Sequence, residues 1–128
     1  MNSETEILLV EDEDMLRGLI EEILKLRGYS VHCAASGDEA AALAETPGFR
    51  LDVVITDVMM PRMTGNQLVD RLRPRFENMK VIFISGFTGA SSPSIQRALE
   101  MPGVSFLQKP FRLQVLVEEV ETLLGRAG

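Results

Sequence analysis

The sequence predicts a single α/β domain with a doubly wound, five-stranded parallel sheet and five helices packed on its two faces. Short apolar runs without charge, such as residues 53–55, alternate along the chain with longer stretches whose apolar residues recur every three or four positions. The short runs are typical of strands buried on both faces, and the longer stretches are typical of amphipathic helices. Strands and helices that alternate in this way indicate βαβ crossovers, which make the strands parallel.

The first part of the chain contains two predicted strands and two predicted helices. Residues 7–10 form the first strand, and the amphipathic helix that follows ends at Gly28. Residues 29–33 form a short second strand. Ser36 and Glu39 have the spacing of a capping box, which predicts the start of an alanine-rich second helix.

The third and fourth strands are predicted at residues 53–55 and 80–84, where β-branched and apolar residues dominate. Between them, Thr64 and Gln67 fit a second capping box and therefore predict the start of the third helix.

The last part of the chain begins with an irregular segment rich in glycine and serine. Ser92 as N-cap and Pro93 at the first helical position predict a short fourth helix. Residues 104–107 form the fifth strand. Apolar residues at helical spacing between 113 and 124 predict the last helix, and Gly125 suits the position just after its end.

Polar residues follow three of the predicted strands. Glu11 and Asp12 follow the first strand, Asp57 ends the third, and Lys109 follows the fifth. The carboxyl ends of parallel strands meet at one edge of the sheet, where open α/β sheets bind their ligands. Three carboxylates at one edge repel each other unless a proton or cation neutralises them, and Mg²⁺ (or Mn²⁺) is bound mainly by such oxygen ligands. The sequence therefore predicts a metal site at this edge.

Composition limits the other possibilities. The 128 residues suit one domain, which we expect to fill residues 1–128 with its core from about 6 to 124. Thirteen basic and 19 acidic residues give a net charge of −6, which disfavours direct binding to nucleic acid. The sequence has no signal-peptide pattern or membrane span, and Cys33 has no second cysteine to pair with, so we expect a cytoplasmic protein.

Four motifs, each after its own predicted strand, carry a resemblance to a known family. They are LLVEDE, ITDVMMPRMTG, VIFISG and FLQKPF, and they contain Glu11, Asp12, Asp57, Ser85, Lys109 and Pro110. In this order they resemble the CheY-like receiver domains of bacterial response regulators in two-component signalling. The irregular fourth-helix region, ISGF and FLQKPF are most similar to receivers of hybrid sensor histidine kinases.

The resemblance implies a fold and a function. The fold is a flavodoxin-like three-layer sandwich with strand order 2-1-3-4-5 and a cis peptide bond before Pro110. The function is a phosphoacceptor switch in a phosphorelay, with Mg²⁺-dependent transfer of a phosphoryl group to Asp57 from a phosphohistidine. The donor is a sensor histidine kinase or a histidine phosphotransfer protein. Such a switch catalyses only its own phosphorylation and dephosphorylation, although the parent chain of a fused receiver is a kinase.

The resemblance also assigns the metal ligands. Asp12 and Asp57 would bind Mg²⁺ directly, the backbone carbonyl of Met59 would add a ligand, and Glu11 would help directly or through water.

Further residues gain roles in the same way. Lys109 and Ser85 would contact phosphoryl oxygens, and Ser85 with Phe106 would form the switch that changes a partner-binding face made of the fourth helix, fifth strand and fifth helix. Phe106 is equally compatible with an ordinary core position. Met59 and Phe87 would border the approach of the hydrolytic water, and their apolar side chains predict a long-lived phosphorylated state.

Two other functions are compatible with an α/β sheet but fit these residues poorly. An aspartate-nucleophile phosphatase uses Asp-x-Asp after the first strand, whereas Asp57 follows the third strand and Met59 stands in the second position. A flavodoxin-like binder needs a neutral phosphate loop where this chain has four acidic residues, 11–14. Within the receiver interpretation, a stand-alone regulator and a domain cut from a hybrid kinase both remain open.

Overall fold

The computed structural model of the protein describes residues 5–86 and 93–125. Strands and helices alternate throughout, as β1 (Glu6–Val10), α1 (Asp14–Leu26), β2 (Ser30–Ala34), α2 (Gly37–Ala44), β3 (Val53–Asp57), α3 (Gly65–Leu72), β4 (Lys80–Ser85), α4 (Pro93–Leu99), β5 (Val104–Gln108) and α5 (Leu113–Leu123). All neighbouring strands are parallel, in the order β2-β1-β3-β4-β5. The predicted fold class and strand order are therefore confirmed.

The core consists of two layers, one on each face of the sheet. On β1, Leu8 and Val10 pack with buried side chains of α2 and α3, whereas Ile7 and Leu9 pack with those of α1 and α5. The central strands β1, β3 and β4 are almost entirely buried because helices cover both of their faces. This double burial explains why their sequences are continuous apolar runs without polar alternation.

The capping predictions are confirmed for α3 and partly wrong for α2. Thr64 Oγ1 accepts a hydrogen bond from the Gln67 amide while the Gln67 side chain accepts one from the Thr64 amide, which completes a capping box. Ser36 caps α2 through the Glu39 amide, but the Glu39 carboxylate accepts from the amide of Ala35 instead of Ser36. Both N-cap residues are extended, but Ser36 has a φ of −153° whereas Thr64 has a φ of −76°, so the chain enters the two helices with different backbone conformations.

The remaining boundaries lie close to their predicted positions. α4 begins at Pro93 as predicted, whereas Ser92, its predicted N-cap, lies outside the described residues. Gly125 has a φ of 77° just after α5, and the Lys109–Pro110 peptide bond is cis, as expected. Among the described residues, no helix combines the length and the hydropathy needed to cross a membrane.

Helix α1 exposes several large apolar side chains. Met15, Leu19 and Leu26 are 74%, 46% and 79% exposed, while Ile20 and Leu24 on the opposite side are fully buried. The spacing of the exposed residues along the helix places them on one side, and we call this set the α1 stripe. A group of exposed large apolar residues on a small domain is typical of a surface that contacts a partner.

Two glycines near α1 differ in backbone conformation but not in available space. Gly18 lies inside the helix and Gly28 follows it with a φ of 91°, and an added Cβ would meet no atom within 4 Å at either position. We expect Gly18→Ala to raise the free energy of unfolding by about 1 kcal/mol, because alanine favours the helix. Gly28→Ala should lower it by about 1 kcal/mol, because a Cβ disfavours positive φ. Urea denaturation measures both, and shifts of equal sign would contradict this explanation.

Candidate functional site

Three strand ends converge at the carboxyl edge of the sheet. Glu11 follows β1, Asp57 is the last residue of β3, and Lys109 follows β5. The Lys109 Nζ atom lies 3.2 Å from Asp57 Oδ1 and 3.3 Å from Glu11 Oε1. The structure thus brings together the charged residues that the sequence predicted at this edge.

Glu11, Asp12 and Asp57 form an acidic cluster beside this lysine. Each contributes a carboxylate oxygen, and these oxygens all lie within 4.8 Å of one another. A divalent ion with metal–oxygen bonds of about 2.0–2.6 Å can bridge oxygens at such separations. Glu11 and Asp57 are buried, whereas Asp12 is exposed, so the cluster opens to solvent on the side of Asp12.

The carboxylate of Glu11 is fixed by the loop that it begins. Its Oε2 atom accepts a hydrogen bond of 3.0 Å from the amide of Glu13. Its Oε1 atom is fully buried and has no hydrogen bond of acceptable geometry, although Lys109 Nζ lies at ion-pair distance. A buried carboxylate oxygen without a hydrogen bond is a strong potential ligand, and this observation fits the chemistry of a cation site.

The buried carboxyl group of Asp57 and the half-buried ammonium group of Lys109 change each other's pKa. Burial, followed by the nearby charge of Glu11, raises the pKa of Asp57 from 3.8 to about 7, and Lys109 opposes this shift only in part. Burial alone would lower the pKa of Lys109, but the charges of Asp57 and Glu11 outweigh it and leave that pKa raised. Without a bound cation, the ionised form of Asp57 is therefore an unfavourable state of the folded protein.

This strain predicts a pH dependence of stability for the metal-free protein. Because the folded-state pKa of Asp57 is raised, the folded protein binds a proton that the unfolded chain releases between about pH 4 and pH 7. The free energy of unfolding should fall as the pH rises through this window. Asp57→Asn removes the titrating group, so we expect the variant to be more stable than the wild type at about pH 8, by on the order of 2–4 kcal/mol.

Urea denaturation with a chelator at several pH values measures this difference. The two proteins should converge as the pH falls well below the ordinary pKa of 3.8, where the carboxyl group of Asp57 is protonated in both the folded and unfolded states. An Asp57→Asn variant that is equally stable or less stable at alkaline pH would contradict the assignment of strain to this carboxylate.

The backbone around Asp57 is held by the neighbouring elements. The amide of Val58 donates to the carbonyl oxygen of Ile84 at 2.9 Å, and the amide of Gly65 donates to the carbonyl oxygen of Val58 at 2.8 Å. A Cβ at Gly65 would collide with the backbone carbonyl oxygen of Asp57. Glycine at the first position of α3 is therefore needed for this close approach. The sequence reasoning missed Gly65, although a glycine directly after the Thr64 cap was a visible signal.

Ser85 lies at the same edge, at the end of β4. It is 6% exposed, and its carbonyl oxygen accepts a 2.7 Å hydrogen bond from the amide of Lys109. This bond ties the residue that carries the ammonium group to the strand next to β3. Both residues thus lie where the sequence predicted them.

The other predicted site residues, Met59, Phe87 and Phe106, differ in their exposure to solvent and in whether the structure describes them. The Met59 side chain is 72% exposed, whereas Met60 is 8% exposed and packs into the core. Phe87 lies outside the described residues. Phe106 is half-buried on β5, pairs with Phe83 of β4 in the sheet register and packs against the core layer of α2 and α3.

Fold and site together define a class: a parallel α/β domain with a buried, lysine-paired aspartate inside an acidic cluster that could hold a cation. A sequence profile described as "Response regulator receiver domain" matches residues 7–121. The chain therefore belongs to the family of response regulator receiver domains and is a signalling domain of two-component systems.

Individual relatives agree with this assignment. The chain is 40% identical over 121 residues to the sensor kinase CckA of Brucella abortus. The aligned region covers 94% of this chain and 12% of the kinase. It is 34% identical over 121 residues to the response regulator MprA of Mycolicibacterium vanbaalenii, covering 94% of this chain and 50% of that protein. The chain thus spans half or less of the length of these curated relatives.

Solved structures give the same result. The crystal structure of the receiver domain from the hybrid histidine kinase CckA matches with a TM-score of 0.76 and 35% identity, covering 93% of this chain and 98% of that one. The chemotaxis response regulator CheY4 of Vibrio cholerae matches with a TM-score of 0.81 and 28% identity, covering 94% and 99%.

Proposed function

We propose that Asp57 is the phosphoacceptor of a phosphorelay and that a phosphohistidine on a sensor histidine kinase or a histidine phosphotransfer protein is the donor. The observation that carries this proposal is the contact of the Lys109 ammonium group with the buried carboxylates of Asp57 and Glu11, at 3.2 and 3.3 Å. This arrangement suits phosphoryl transfer, because a carboxylate nucleophile lies beside a cation that can neutralise charge on the phosphoryl oxygens. The proposed receiver domain comprises residues 1–128, with its core from about 6 to 124.

In the proposed reaction, a carboxylate oxygen of Asp57 attacks the phosphorus atom of the donor. The bond from phosphorus to the imidazole nitrogen breaks, its electron pair stays on the imidazole, and an acyl phosphate forms on Asp57. Charge in the transition state lies on the phosphoryl oxygens. The Lys109 ammonium group neutralises part of that charge, and the Ser85 hydroxyl on the adjacent strand donates a hydrogen bond.

The residues that would hold the metal are Glu11, Asp12, Asp57 and the backbone carbonyl of Met59. When bound there, Mg²⁺ (or Mn²⁺) supplies positive charge that offsets the repulsion among the carboxylates and the incoming phosphoryl oxygens. The buried Oε1 of Glu11, which has no hydrogen bond, supports this part of the proposal.

The α1 stripe supports the proposed type of partner. Met15 and Leu19 follow the loop that carries Glu11 and Asp12, so a helix of a donor protein that covers them also approaches the acceptor edge. On the output side, we propose that the face formed by α4, β5 and α5 contacts a partner, since Phe106 belongs to β5 and Lys109 of the phosphoacceptor site directly follows that strand.

Phosphorylation by a small-molecule donor tests the proposed function. Acetyl phosphate with Mg²⁺ should add one phosphoryl group, measured by intact-mass spectrometry, and hydroxylamine should remove it because the linkage is an acyl phosphate. Omission of Mg²⁺ should prevent the labelling. A protein that gains no mass, or whose label survives hydroxylamine, would overturn the proposal.

The exposed side chain of Met59 predicts how long the phosphoryl group persists. A methionine next to the acceptor binds water weakly, whereas asparagine can hydrogen-bond a water and orient it toward the phosphoryl group. We expect Met59→Asn to accelerate the loss of the phosphoryl group, measured as phosphoprotein decay after donor removal at constant Mg²⁺. Met15→Asn is a matched control, because Met15 is similarly exposed on α1. Equal decay rates in both variants and the wild type would contradict the role of Met59.

A further inference from the structure

Arg17, on the second turn of α1, reaches back to the end of β1. Its Nη1 atom donates a 2.9 Å hydrogen bond to the backbone carbonyl oxygen of Glu11, and its Nη2 atom donates a 2.7 Å hydrogen bond to Asp14 Oδ1. The side chain of Arg17 is 22% exposed, whereas that of Asp14 is 89% exposed. Arg17 is therefore held against the protein, and its partner at Nη1 is the residue that begins the acidic loop.

The loop between β1 and α1 depends on few other fixed contacts. The Glu11 amide donates to the carbonyl oxygen of Ala34 on β2 at 3.1 Å, and the Glu13 amide holds the Glu11 carboxylate. The N-cap residue of α1, Glu13, makes no capping hydrogen bond with its side chain. Arg17 cannot cap the helix, because a guanidinium has no acceptor for the free amides of the first turn, but its bond to the Glu11 carbonyl oxygen ties the loop to α1.

We propose that Arg17 is a positioning residue for the cation site, because its hydrogen bond to the Glu11 carbonyl fixes the loop that presents the carboxylates of Glu11 and Asp12. This inference rests on the proposed function, since it assumes that the acidic cluster binds Mg²⁺. The fork of the guanidinium suits the role, because one group bonds the carbonyl and the side chain of Asp14 at the same time.

If Arg17 positions the loop, its removal should weaken Mg²⁺ binding, whereas electrostatic repulsion alone predicts that its removal strengthens Mg²⁺ binding. A cationic side chain close to a cation site repels the metal, so its loss would strengthen Mg²⁺ binding if charge were the dominant effect. Loss of positioning weakens binding, because the carboxylates of Glu11 and Asp12 then sample other arrangements. The sign of the change in Mg²⁺ affinity therefore separates the two effects.

Three variants test the inference by calorimetric titration with Mg²⁺ at fixed ionic strength. Arg17→Met keeps the apolar stem and removes the charge and donors, and we expect it to weaken Mg²⁺ binding by about tenfold, the lower end of the effect of outer-shell partners. Arg17→Lys keeps the charge and one donor group, and should restore part of the affinity. Arg27→Met is the matched control, since Arg27 follows α1 and its guanidinium contacts Gln114 and Glu121 of α5.

A second measurement follows the loop itself in the metal-free protein. Amide hydrogen exchange at Glu13, whose N–H bonds the Glu11 carboxylate, should accelerate in Arg17→Met and not in Arg27→Met. A merely structural role would lower the melting temperature of Arg17→Met and leave its Mg²⁺ dissociation constant unchanged.

The outcomes separate the inference from the proposed function. Absence of Mg²⁺ binding by the wild type would overturn the metal site of the proposed function. Binding by the wild type together with equal or tighter binding by Arg17→Met would overturn the positioning role alone. If Arg17→Met does not fold, the Mg²⁺ affinity of Arg17→Lys tests the inference instead. We expect Arg17→Lys to bind Mg²⁺ more weakly than the wild type, and an unchanged affinity would contradict the inference.

Discussion

Replacing Asp57 by asparagine should abolish the incorporation of a phosphoryl group from acetyl phosphate. The carboxylate of Asp57 combines three properties: it ends a buried strand, it is 5% exposed, and it contacts the Lys109 ammonium group. Glu11 is the other buried carboxylate that could act as the phosphoacceptor. However, it is 0% exposed, and one of its oxygens already accepts a hydrogen bond from the Glu13 amide. The asparagine side chain has nearly the same shape and lacks the anionic nucleophile, so the loss of labelling should be complete.

Intact-mass spectrometry of the wild type and the variant measures this effect. Asp70→Asn is the matched control, because Asp70 is an exposed carboxylate on α3. The control should label like the wild type. Undiminished, hydroxylamine-sensitive labelling of Asp57→Asn would show that another carboxylate is the acceptor.

Replacing Asp12 by alanine should remove both Mg²⁺ binding and phosphorylation. Among the described residues the cluster offers three carboxylates, and a site for Mg²⁺ with so few protein ligands depends strongly on each one. Because Asp12 is exposed, its removal should change the stability of the metal-free protein little. This behaviour contrasts with Asp57→Asn, which removes a buried charge and should stabilise the metal-free protein.

Thermal melts with and without Mg²⁺ measure the loss, since a ligand that binds only the folded state raises the melting temperature. Glu13→Ala is the matched control, because Glu13 is an adjacent exposed acid whose side chain lies outside the cluster. The control should keep the Mg²⁺-dependent shift. A shift in Asp12→Ala as large as that of the wild type would refute the role of Asp12 as a ligand.

Local sequence patterns predicted the elements well because each pattern reflects an interaction between near neighbours. The Thr64–Gln67 capping box depends on residues three positions apart, and both of its hydrogen bonds form. The Glu39 carboxylate was predicted to accept from the amide of Ser36, but it accepts from the amide of Ala35. The backbone conformation before a helix is not determined by the cap residues alone.

The candidate site was predictable as a set of residues but not as a geometry. Glu11 and Asp12 are neighbours of the same chemical type, yet Glu11 is fully buried and Asp12 is exposed. That difference arises from the turn after β1, where the Glu13 amide folds the Glu11 side chain back. Met59 and Met60 differ in the same way, since one is 72% and the other 8% exposed. No periodicity applies to such loops, so the sequence cannot assign their side chains to the inside or the outside.

The α1 stripe also affects how the isolated domain behaves in solution. At neutral pH we expect the net charge of −6 to oppose contact between two copies through the exposed Met15, Leu19 and Leu26. Near the isoelectric point of about 4.8 this repulsion vanishes, and high salt screens it at any pH. We therefore expect acidic or high-salt buffers to favour self-association through α1, and a helical partner that covers the stripe to oppose it.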